Sequence, residues 1–225
     1  MANVLITGAN RGIGLALAKH YAEAGHSVIG CVRDPATAED LKALSGVSVE
    51  AMDVGDPASI SAAAERVGAQ PIDILINNAG ATGGEAQALD NLDIEAWHAA
   101  LNVNTIGPLL IARDFKHNLA ASGNGKLMTL TSQLAASTWP MGGMYIYGST
   151  KAALSRAFVS LAIDWKEEPI TVGLMHPGWV QTDMGGPHAE ITADESATGI
   201  ISVIESMTKV DSGKFYKWNG EQHPF

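Results

Sequence analysis

A tyrosine and a lysine four residues apart, Tyr147 and Lys151, are the residues of this 225-residue chain best suited to proton transfer. Residues at this spacing share one face of a helix. A phenol titrates near about pH 10, and a neighbouring ammonium favours its ionised form. We therefore predict that Lys151 lowers the pKa of Tyr147 enough for proton transfer near neutrality. Taken alone, the pair also fits an aromatic side chain packed under a lysine stem at a helix start.

Two further polar side chains could assist the Tyr147 phenol. Ser132 follows a predicted buried strand, where its hydroxyl could bind a substrate carbonyl oxygen; the alternative is a capping or turn serine, and Thr131 is a weaker rival. Asn104 falls inside a predicted helix, where asparagine is unfavourable. It either performs a polar task, such as holding a water that links Lys151 to solvent, or bonds the backbone at a helix irregularity.

A glycine-rich turn lies between the first predicted strand and the first predicted helix. Glycines there let the backbone bend sharply and approach a diphosphate, and the helix N-terminus offers N–H groups and a positive dipole end. A turn that merely packs a helix on a sheet is the alternative. The placement favours a dinucleotide site formed by Gly8, Asn10, Arg11, Gly12, Ile13 and Gly14.

The end of the second predicted strand indicates which dinucleotide is bound. A carboxylate normally binds the adenosine ribose of NAD at this place, but the sequence has Val32 followed by Arg33. An arginine offers a bidentate cation to a 2′-phosphate, and Arg11 could lie on the same side. These residues favour NADP(H). The alternatives are that Arg33 pairs with a carboxylate such as Asp34, or that Asp34 itself binds the ribose.

The third and fourth predicted strands also end in residues suited to the cofactor. Asp53, followed by Val54, could meet an adenine amino group, although a helix-capping role for Asp53 or Asp56 is as well supported. Small and amide-bearing residues follow the fourth strand and would let a loop approach the cofactor, although the same types are common in turns. They are Asn77, Asn78, Ala79 and Gly80.

Short apolar runs alternate with segments of helical spacing along the chain. The runs predict strands at 4–6, 27–32, 47–52, 72–76, 126–131, 170–175 and 214–216. Helices are predicted near 13–22, 38–44, 57–67, 149–165 and 194–207, with a further helical segment that follows a loop at 81–90 and reaches Asn118. Apolar strands alternating with helices predict an α/β fold. We expect one domain over residues 1–225, a single doubly wound parallel sheet of the Rossmann type with helices on both faces.

The composition argues against several kinds of partner and chemistry. Lys and Arg number 14 against 24 Asp and Glu, a net charge of −10 that disfavours nucleic acid and anionic lipid. The single cysteine, Cys31, excludes an intramolecular disulfide, and the chain shows neither a secretion signal nor an apolar run long enough to cross a membrane. The histidines have no metal-binding spacing, and no hydrolase nucleophile motif or P-loop is present. We expect a cytoplasmic protein without metal, nucleic-acid or membrane partners.

In their order along the chain, these motifs resemble the short-chain dehydrogenase/reductase family over residues 4–215. The family's glycine motif matches Thr7-Gly8-x-x-x-Gly12-Ile13-Gly14, and its central motif matches Asn77-Asn78-Ala79-Gly80. Segments 31–35 and 176–186 are similar to the small carbonyl-reductase-like members, which include the bacterial C-factor type.

The resemblance implies an active-site tetrad of Asn104, Ser132, Tyr147 and Lys151, in which Tyr147 and Lys151 also contact the cofactor. It adds Pro177, Gly178, Val180 and Thr182 to the cofactor site, with Thr182 at the nicotinamide carboxamide. The implied activity is NADP(H)-dependent reduction of a small-molecule ketone or aldehyde, reversible with the alcohol. The alternative is a signalling or regulatory protein that binds NADP(H) with little turnover. The family also suggests a homodimer or homotetramer, although some members are monomers.

Apolar and aromatic side chains close to these motifs predict an apolar substrate rather than a sugar. Each of them could equally be a packing residue. The interval from Ser132 to Tyr147 is longer than usual for the family, so the loop within it is free to be specific. The candidate substrate residues are Trp139, Met141, Met144, Tyr145, Trp179 and Met184.

Overall fold

A computed structural model describes every residue from Met1 to Phe225. Seven strands form one sheet: β1 Asn3–Thr7, β2 Ser27–Val32, β3 Val47–Ala51, β4 Ile74–Asn77, β5 Gly125–Leu130, β6 Ile170–His176 and β7 Phe215–Lys217. The strand order is β3-β2-β1-β4-β5-β6-β7, and all six neighbouring pairs are parallel. The predicted doubly wound parallel sheet is confirmed. The order reverses between β1 and β4, and a ligand crevice forms outside the carboxyl ends of the strands at such a point.

Eight α-helices connect the strands: α1 Gly12–Glu23, α2 Glu39–Lys42, α3 Pro57–Val67, α4 Ile94–Leu101, α5 Gly107–Asp114, α6 Lys116–Ala121, α7 Tyr145–Asp164 and α8 Ala193–Ser206. The helical segment predicted to reach Asn118 is three helices, and Asn102–Ile106 form a π-helix between α4 and α5. Helix α7 begins at Tyr145 rather than at Ser149. None of the helices combines the length and apolar character needed to cross a lipid bilayer.

The sheet is buried on both faces, because alternate residues of each strand point to opposite sides. Leu5 of β1 belongs to a cluster of 22 buried residues shared with α3, α5 and α7. Its neighbours Val4 and Ile6 belong to a cluster of 21 buried residues shared with α1 and α8. Two packed cores therefore hold the strands, and with them the loops at their carboxyl ends.

Candidate active site

The glycine-rich turn between β1 and α1 has a backbone that requires glycine. Gly8 and Gly12 have φ of 66° and 52°, in the left-handed region. A Cβ at Gly8 would lie 3.0 Å from the Ala79 Cα, and a Cβ at Gly14 would overlap the Gly8 carbonyl oxygen. Helix α1 has no side-chain N-cap, so the N–H groups of its first turn remain available. A bare backbone and free N–H groups fit the diphosphate of a dinucleotide.

Asn78 fixes this turn to the end of β4. Its Nδ2 donates to the carbonyl oxygens of Thr7 at 2.8 Å and Gly8 at 3.1 Å. The Thr7 hydroxyl accepts from the backbone N–H groups of Asn78 and Ala79, both at 3.1 Å. The neighbouring Asn77, selected from the sequence as a cofactor residue, turns its side chain inward, where Nδ2 donates to the Pro108 carbonyl at 3.3 Å. Asn77 can therefore offer only its backbone to a bound cofactor.

Arg33 is exposed and forms no ion pair, so the alternative in which it pairs with a carboxylate does not hold. Asp34 instead accepts a hydrogen bond from the Ala36 backbone N–H at 2.9 Å, at the start of a short 3₁₀ turn. Arg11 differs from Arg33, because its Nη1 lies 2.7 Å from Asp183 Oδ2. Of the two arginines proposed for a 2′-phosphate, only Arg33 is free of a protein partner.

The candidate adenine residues lie in the turn that follows β3. Asp53 Oδ1 accepts from the Gly55 backbone N–H at 2.9 Å, and Asp56 caps α3 through the Ala58 N–H at 3.0 Å. The helix-capping role therefore belongs to Asp56. Asp53 is half-buried and its Oδ2 makes no hydrogen bond to the protein, whereas Val54 is buried.

Tyr147 lies in the first turn of α7, and Lys151 lies one turn further along. The Lys151 Nζ is 5.8 Å from the centre of the Tyr147 ring and donates to the Leu130 carbonyl at 2.8 Å. Burial lowers the pKa of Lys151 to about 8. Burial also raises the pKa of Tyr147 to about 12. A hydrogen bond with the Ser132 side chain lowers this pKa, but by less than burial raises it.

The raised pKa of Tyr147 corrects the expectation that Lys151 brings the phenol towards neutrality. Lys151 is buried and Tyr147 is half-buried, and the loss of water disfavours the phenolate as well as the ammonium. In this structure the loss of hydration is the largest influence on both pKa values, so the phenol is protonated at neutral pH.

Ser132 caps a 3₁₀ turn and also lies against the Tyr147 phenol. Its Oγ accepts from the Leu134 backbone N–H at 3.2 Å, as the capping alternative expected. Its side chain also hydrogen-bonds the Tyr147 phenol, so the two hydroxyl groups adjoin each other. Thr131 is not available, because its hydroxyl lies 2.6 Å from Ser155 Oγ inside the protein.

Asn104 sits in the π-helix and bonds the backbone of a distant loop. Its Nδ2 donates to the Ala81 carbonyl at 2.7 Å and to Thr150 Oγ1 at 2.9 Å, and its Oδ1 accepts from the Ala81 N–H at 2.8 Å. The structure therefore shows the backbone bonding expected for a helix irregularity, and the role of Asn104 in a proton relay stays a prediction. A Cβ added at Gly80 would lie 3.3 Å from Asn104 Oδ1 and 3.6 Å from Lys151 Nζ, so the two side chains converge on the loop after β4.

The segment after β6 lies beside the glycine-rich turn. A Cβ at Gly12 would lie 3.1 Å from Thr182 Cγ2, which puts Thr182 beside the turn. Gly178 has φ of 93°, and the Pro177 carbonyl accepts from Ser196 Oγ at 2.6 Å. Val180 is buried and forms a β-bridge with Ile191. These contacts hold the segment in place next to Gly12.

The candidate substrate residues form two groups on the surface. Trp139, Met141, Met144 and Tyr145 precede or begin α7, and Trp179 and Met184 follow β6; all except the half-buried Met144 are 38–60% exposed. Met144 has a left-handed φ of 52° at the start of α7, a strained conformation for a side chain of its size. Trp139 packs on His223 with ring centroids 6.3 Å apart, so the C-terminal segment also contributes to this surface.

Comparison with known proteins identifies the family. The family described as short chain dehydrogenase matches residues 2–192. The chain is 37% identical to "C-signal" of Myxococcus xanthus over 158 residues, 69% of this chain and 93% of that protein. The NADPH-bound carbonyl reductase from chicken fatty liver superposes with a TM-score of 0.91 at 32% identity, covering 100% of this chain and 99% of the other. A carbonyl reductase from Pseudomonas aeruginosa PAO1 in complex with NADP gives 0.88 at 31%, covering 100% of both chains. The chain belongs to the short-chain dehydrogenase family of oxidoreductases.

Proposed function

We propose that this protein is an NADPH-dependent reductase of apolar ketones or aldehydes, acting through Ser132, Tyr147, Lys151 and Asn104. The observation that carries the proposal is the meeting of three groups at one strand end. The protonated Tyr147 phenol and the Ser132 hydroxyl adjoin each other beyond β5, and the Lys151 ammonium donates to the last residue of that strand. A proton donor beside a hydrogen-bond donor suits a carbonyl oxygen that gains negative charge.

Each side chain has a separate role in the reduction of the carbonyl group. NADPH, when bound, supplies the hydride that reaches the carbonyl carbon. Ser132 donates a hydrogen bond to the carbonyl oxygen and orients it. Tyr147 transfers its phenolic proton to the same oxygen as the alkoxide develops, and its raised pKa keeps that proton in place at neutral pH. The resulting tyrosinate is stabilised by the Lys151 ammonium and regains a proton from solvent.

Lys151 and Asn104 support the phenol from the protein side. Lys151 is fixed by the Leu130 carbonyl and would bind the nicotinamide ribose with its remaining N–H donors. Both N–H donors of Asn104 are used, in hydrogen bonds to Ala81 and Thr150. Its Oδ1 accepts one hydrogen bond, from the Ala81 N–H, and has a second lone pair that could accept from a water. A proton relay through that water would pass the Oδ1 side of the amide.

The choice of NADPH is supported by Arg33. An exposed guanidinium without a protein partner, at the end of β2, suits the 2′-phosphate in bidentate geometry. Two solved relatives at 31–32% identity contain NADPH or NADP, in agreement with this choice. The turn from Gly8 to Gly14 would hold the diphosphate, and Thr182, which lies beside Gly12, would contact the nicotinamide carboxamide.

The surface beside the phenol supports an apolar substrate. Exposed aromatic and methionine side chains lie in the segment that leads into α7 and in the segment after β6, and the one carboxylate among them, Asp183, is paired with Arg11. Such side chains bind ketones or aldehydes with hydrocarbon substituents by removing apolar surface from water.

A second function has one observation in its favour. The match to a protein named C-signal, at 37% identity, fits a signalling or regulatory protein that binds NADP(H) with little turnover. The assembled Ser132, Tyr147 and Lys151 favour the reductase, because a binding protein has no need of a proton donor next to a hydroxyl.

The two functions are separated by measuring NADPH binding and NADPH oxidation on the same preparation. Binding is titrated by fluorescence, and oxidation is followed by absorbance with a panel of aromatic and aliphatic ketones and aldehydes and with sugars as controls. A reductase oxidises NADPH with apolar carbonyl compounds and not with the sugars. Tight binding of NADPH without oxidation by any compound would favour the signalling function instead.

A further inference from the structure

Helix α7, which carries Tyr147, begins without a cap of its own. Met144 occupies the N-cap position and offers no side-chain hydrogen bond. The first N–H groups of a helix have no intrahelical partner, and a polar N-cap side chain usually accepts from the third residue. That third residue is Tyr147. The backbone N–H of the proton donor therefore needs an acceptor from another part of the chain.

Gln87, in the loop between β4 and α4, provides this acceptor. Its Oε1 accepts from the Tyr147 N–H at 3.1 Å. Its Nε2 donates to the carbonyl oxygens of Thr82 at 2.8 Å and Gly84 at 3.0 Å, so both N–H donors are used. The side chain is buried, with 7% exposed. A buried amide with three hydrogen bonds ties the loop directly to the Tyr147 backbone.

The loop between β4 and α4 also packs closely against the first turn of α7. Gly83 is buried with φ of 83°, and a Cβ added there would overlap the Ile146 side chain. Any larger residue would push the loop away from the helix. The Gln87 contact is therefore part of a close packing between loop and helix.

A second link reaches Tyr147 from the other side of the loop. Asn104 holds both the N–H and the carbonyl of Ala81 and donates to Thr150 Oγ1, and Thr150 Oγ1 in turn donates to the Tyr147 carbonyl at 2.8 Å. The N–H and the carbonyl of Tyr147 are thus each tied to the same loop, through Gln87 and through Asn104.

We infer that Gln87 is a positioning residue for the reaction, which holds the Tyr147 backbone so that the phenol stays aligned beside Ser132. This inference rests on the proposed role of Tyr147 as proton donor. The first turn of a helix frays when its N–H groups lack acceptors, and a small displacement of a catalytic group costs a large factor in rate.

The test compares Gln87→Met with Asn91→Ala, a matched control in the same loop. Asn91 accepts from the Ala88 N–H at 3.0 Å and makes no hydrogen bond to α7. We expect Gln87→Met to lower kcat about 10- to 100-fold while leaving the KM for NADPH within about twofold. Asn91→Ala should change neither. An unchanged kcat in Gln87→Met would overturn the inference.

A readout independent of catalysis is hydrogen exchange of the first turn of α7. The Tyr147 N–H should exchange slowly in the wild type and at least about tenfold faster in Gln87→Met, as expected for the loss of about 1.4 kcal/mol of protection. Gln87→Glu keeps the acceptor for Tyr147 and loses the donors to the loop. It should retain slower exchange and a higher kcat than Gln87→Met, and equal values in the two variants would contradict the role of Oε1.

A failure of the proposed function can be distinguished from a failure of the positioning role of Gln87. A wild type that oxidises no NADPH with any carbonyl compound removes the proposed function, while the exchange measurement still decides whether Gln87 holds Tyr147. A wild type that turns over, with Gln87→Met at the same kcat and the same exchange rate, removes only the positioning role. If Gln87→Met does not fold, Gln87→Glu alone carries both measurements, and wild-type values in it would overturn the need for the loop donors.

Discussion

Replacing Lys151 by methionine should remove a pH-dependent part of the folding stability. Lys151 is 4% exposed, and its ammonium has one hydrogen bond, to the Leu130 carbonyl. Methionine is similar in length and carries no charge. The variant therefore tests whether a buried ammonium is present next to Tyr147, independently of any activity.

The magnitude follows from the pKa of Lys151. Burial lowers this pKa from 10.5 to about 8, so between these values the unfolded chain binds more protons than the native protein. Stability contributed by this group therefore rises as the pH rises through that window. At about 1.4 kcal/mol per unit of pKa difference, the gain between about pH 7 and about pH 9.5 is about 2 kcal/mol.

Urea unfolding of the cofactor-free protein at these two pH values measures the effect. The free energy of unfolding of the wild type, relative to Lys151→Met, should rise by about 2 kcal/mol from about pH 7 to about pH 9.5. Lys166→Met is the control, because the Lys166 side chain is 71% exposed and its removal should leave the pH dependence of the wild type. The same pH dependence in wild type and Lys151→Met, within a few tenths of a kcal/mol, would refute the reasoning.

Four further outcomes are expected. Arg33→Ala should weaken NADPH binding by at least about tenfold and NADH binding by less than about twofold in fluorescence titrations; equal losses would remove Arg33 from the 2′-phosphate. Gly14→Ala should lower the free energy of unfolding by about 1–3 kcal/mol in urea, because its Cβ overlaps the Gly8 carbonyl; an unchanged midpoint would contradict the close packing. Asn78→Ala, which loses two hydrogen bonds to the turn, should cost about 1–3 kcal/mol and weaken NADPH binding. Because burial raises the pKa of Tyr147 to about 12 and lowers the pKa of Lys151 to about 8, kcat for carbonyl reduction should stay level from about pH 6 to about pH 7 and fall as Lys151 loses its proton near about pH 8; a kcat that stays level to about pH 10 would contradict the role of the Lys151 ammonium.

The fold could be predicted because its strands are short apolar runs separated by helical spacing. The predicted strand at 27–32 and helix at 57–67 coincide with β2 and α3. The start of α7 was wrong by four residues. Its N-terminus has no capping side chain in the local sequence, and its acceptor comes from Gln87, 60 residues earlier. A helix start that depends on a distant loop leaves no local signal.

The site was predicted less completely than the fold. The spacing of Tyr147 and Lys151 gave their shared face, but burial determines both pKa values, and spacing does not report burial. The pairing of Arg11 with Asp183 joins residues 172 apart in the chain, so the motif around Arg11 could not reveal it. Asn77 and Asn78 could not be told apart from the sequence, because adjacent asparagines look alike until the strand end turns the Asn77 side chain inward and the Asn78 side chain towards the glycine-rich turn.

The most direct test of the account measures the contribution of one phenolic oxygen. Tyr147→Phe removes it, and Tyr216→Phe, which loses a hydroxyl bonded to Asp211 at 3.0 Å, serves as the control. Carbonyl-dependent NADPH oxidation is compared with NADPH binding in both variants. We expect Tyr147→Phe to lower kcat by at least about 100-fold with NADPH binding retained, and Tyr216→Phe to stay near wild type. A Tyr147→Phe variant that keeps kcat within about twofold of the wild type would contradict the role of Tyr147 as proton donor.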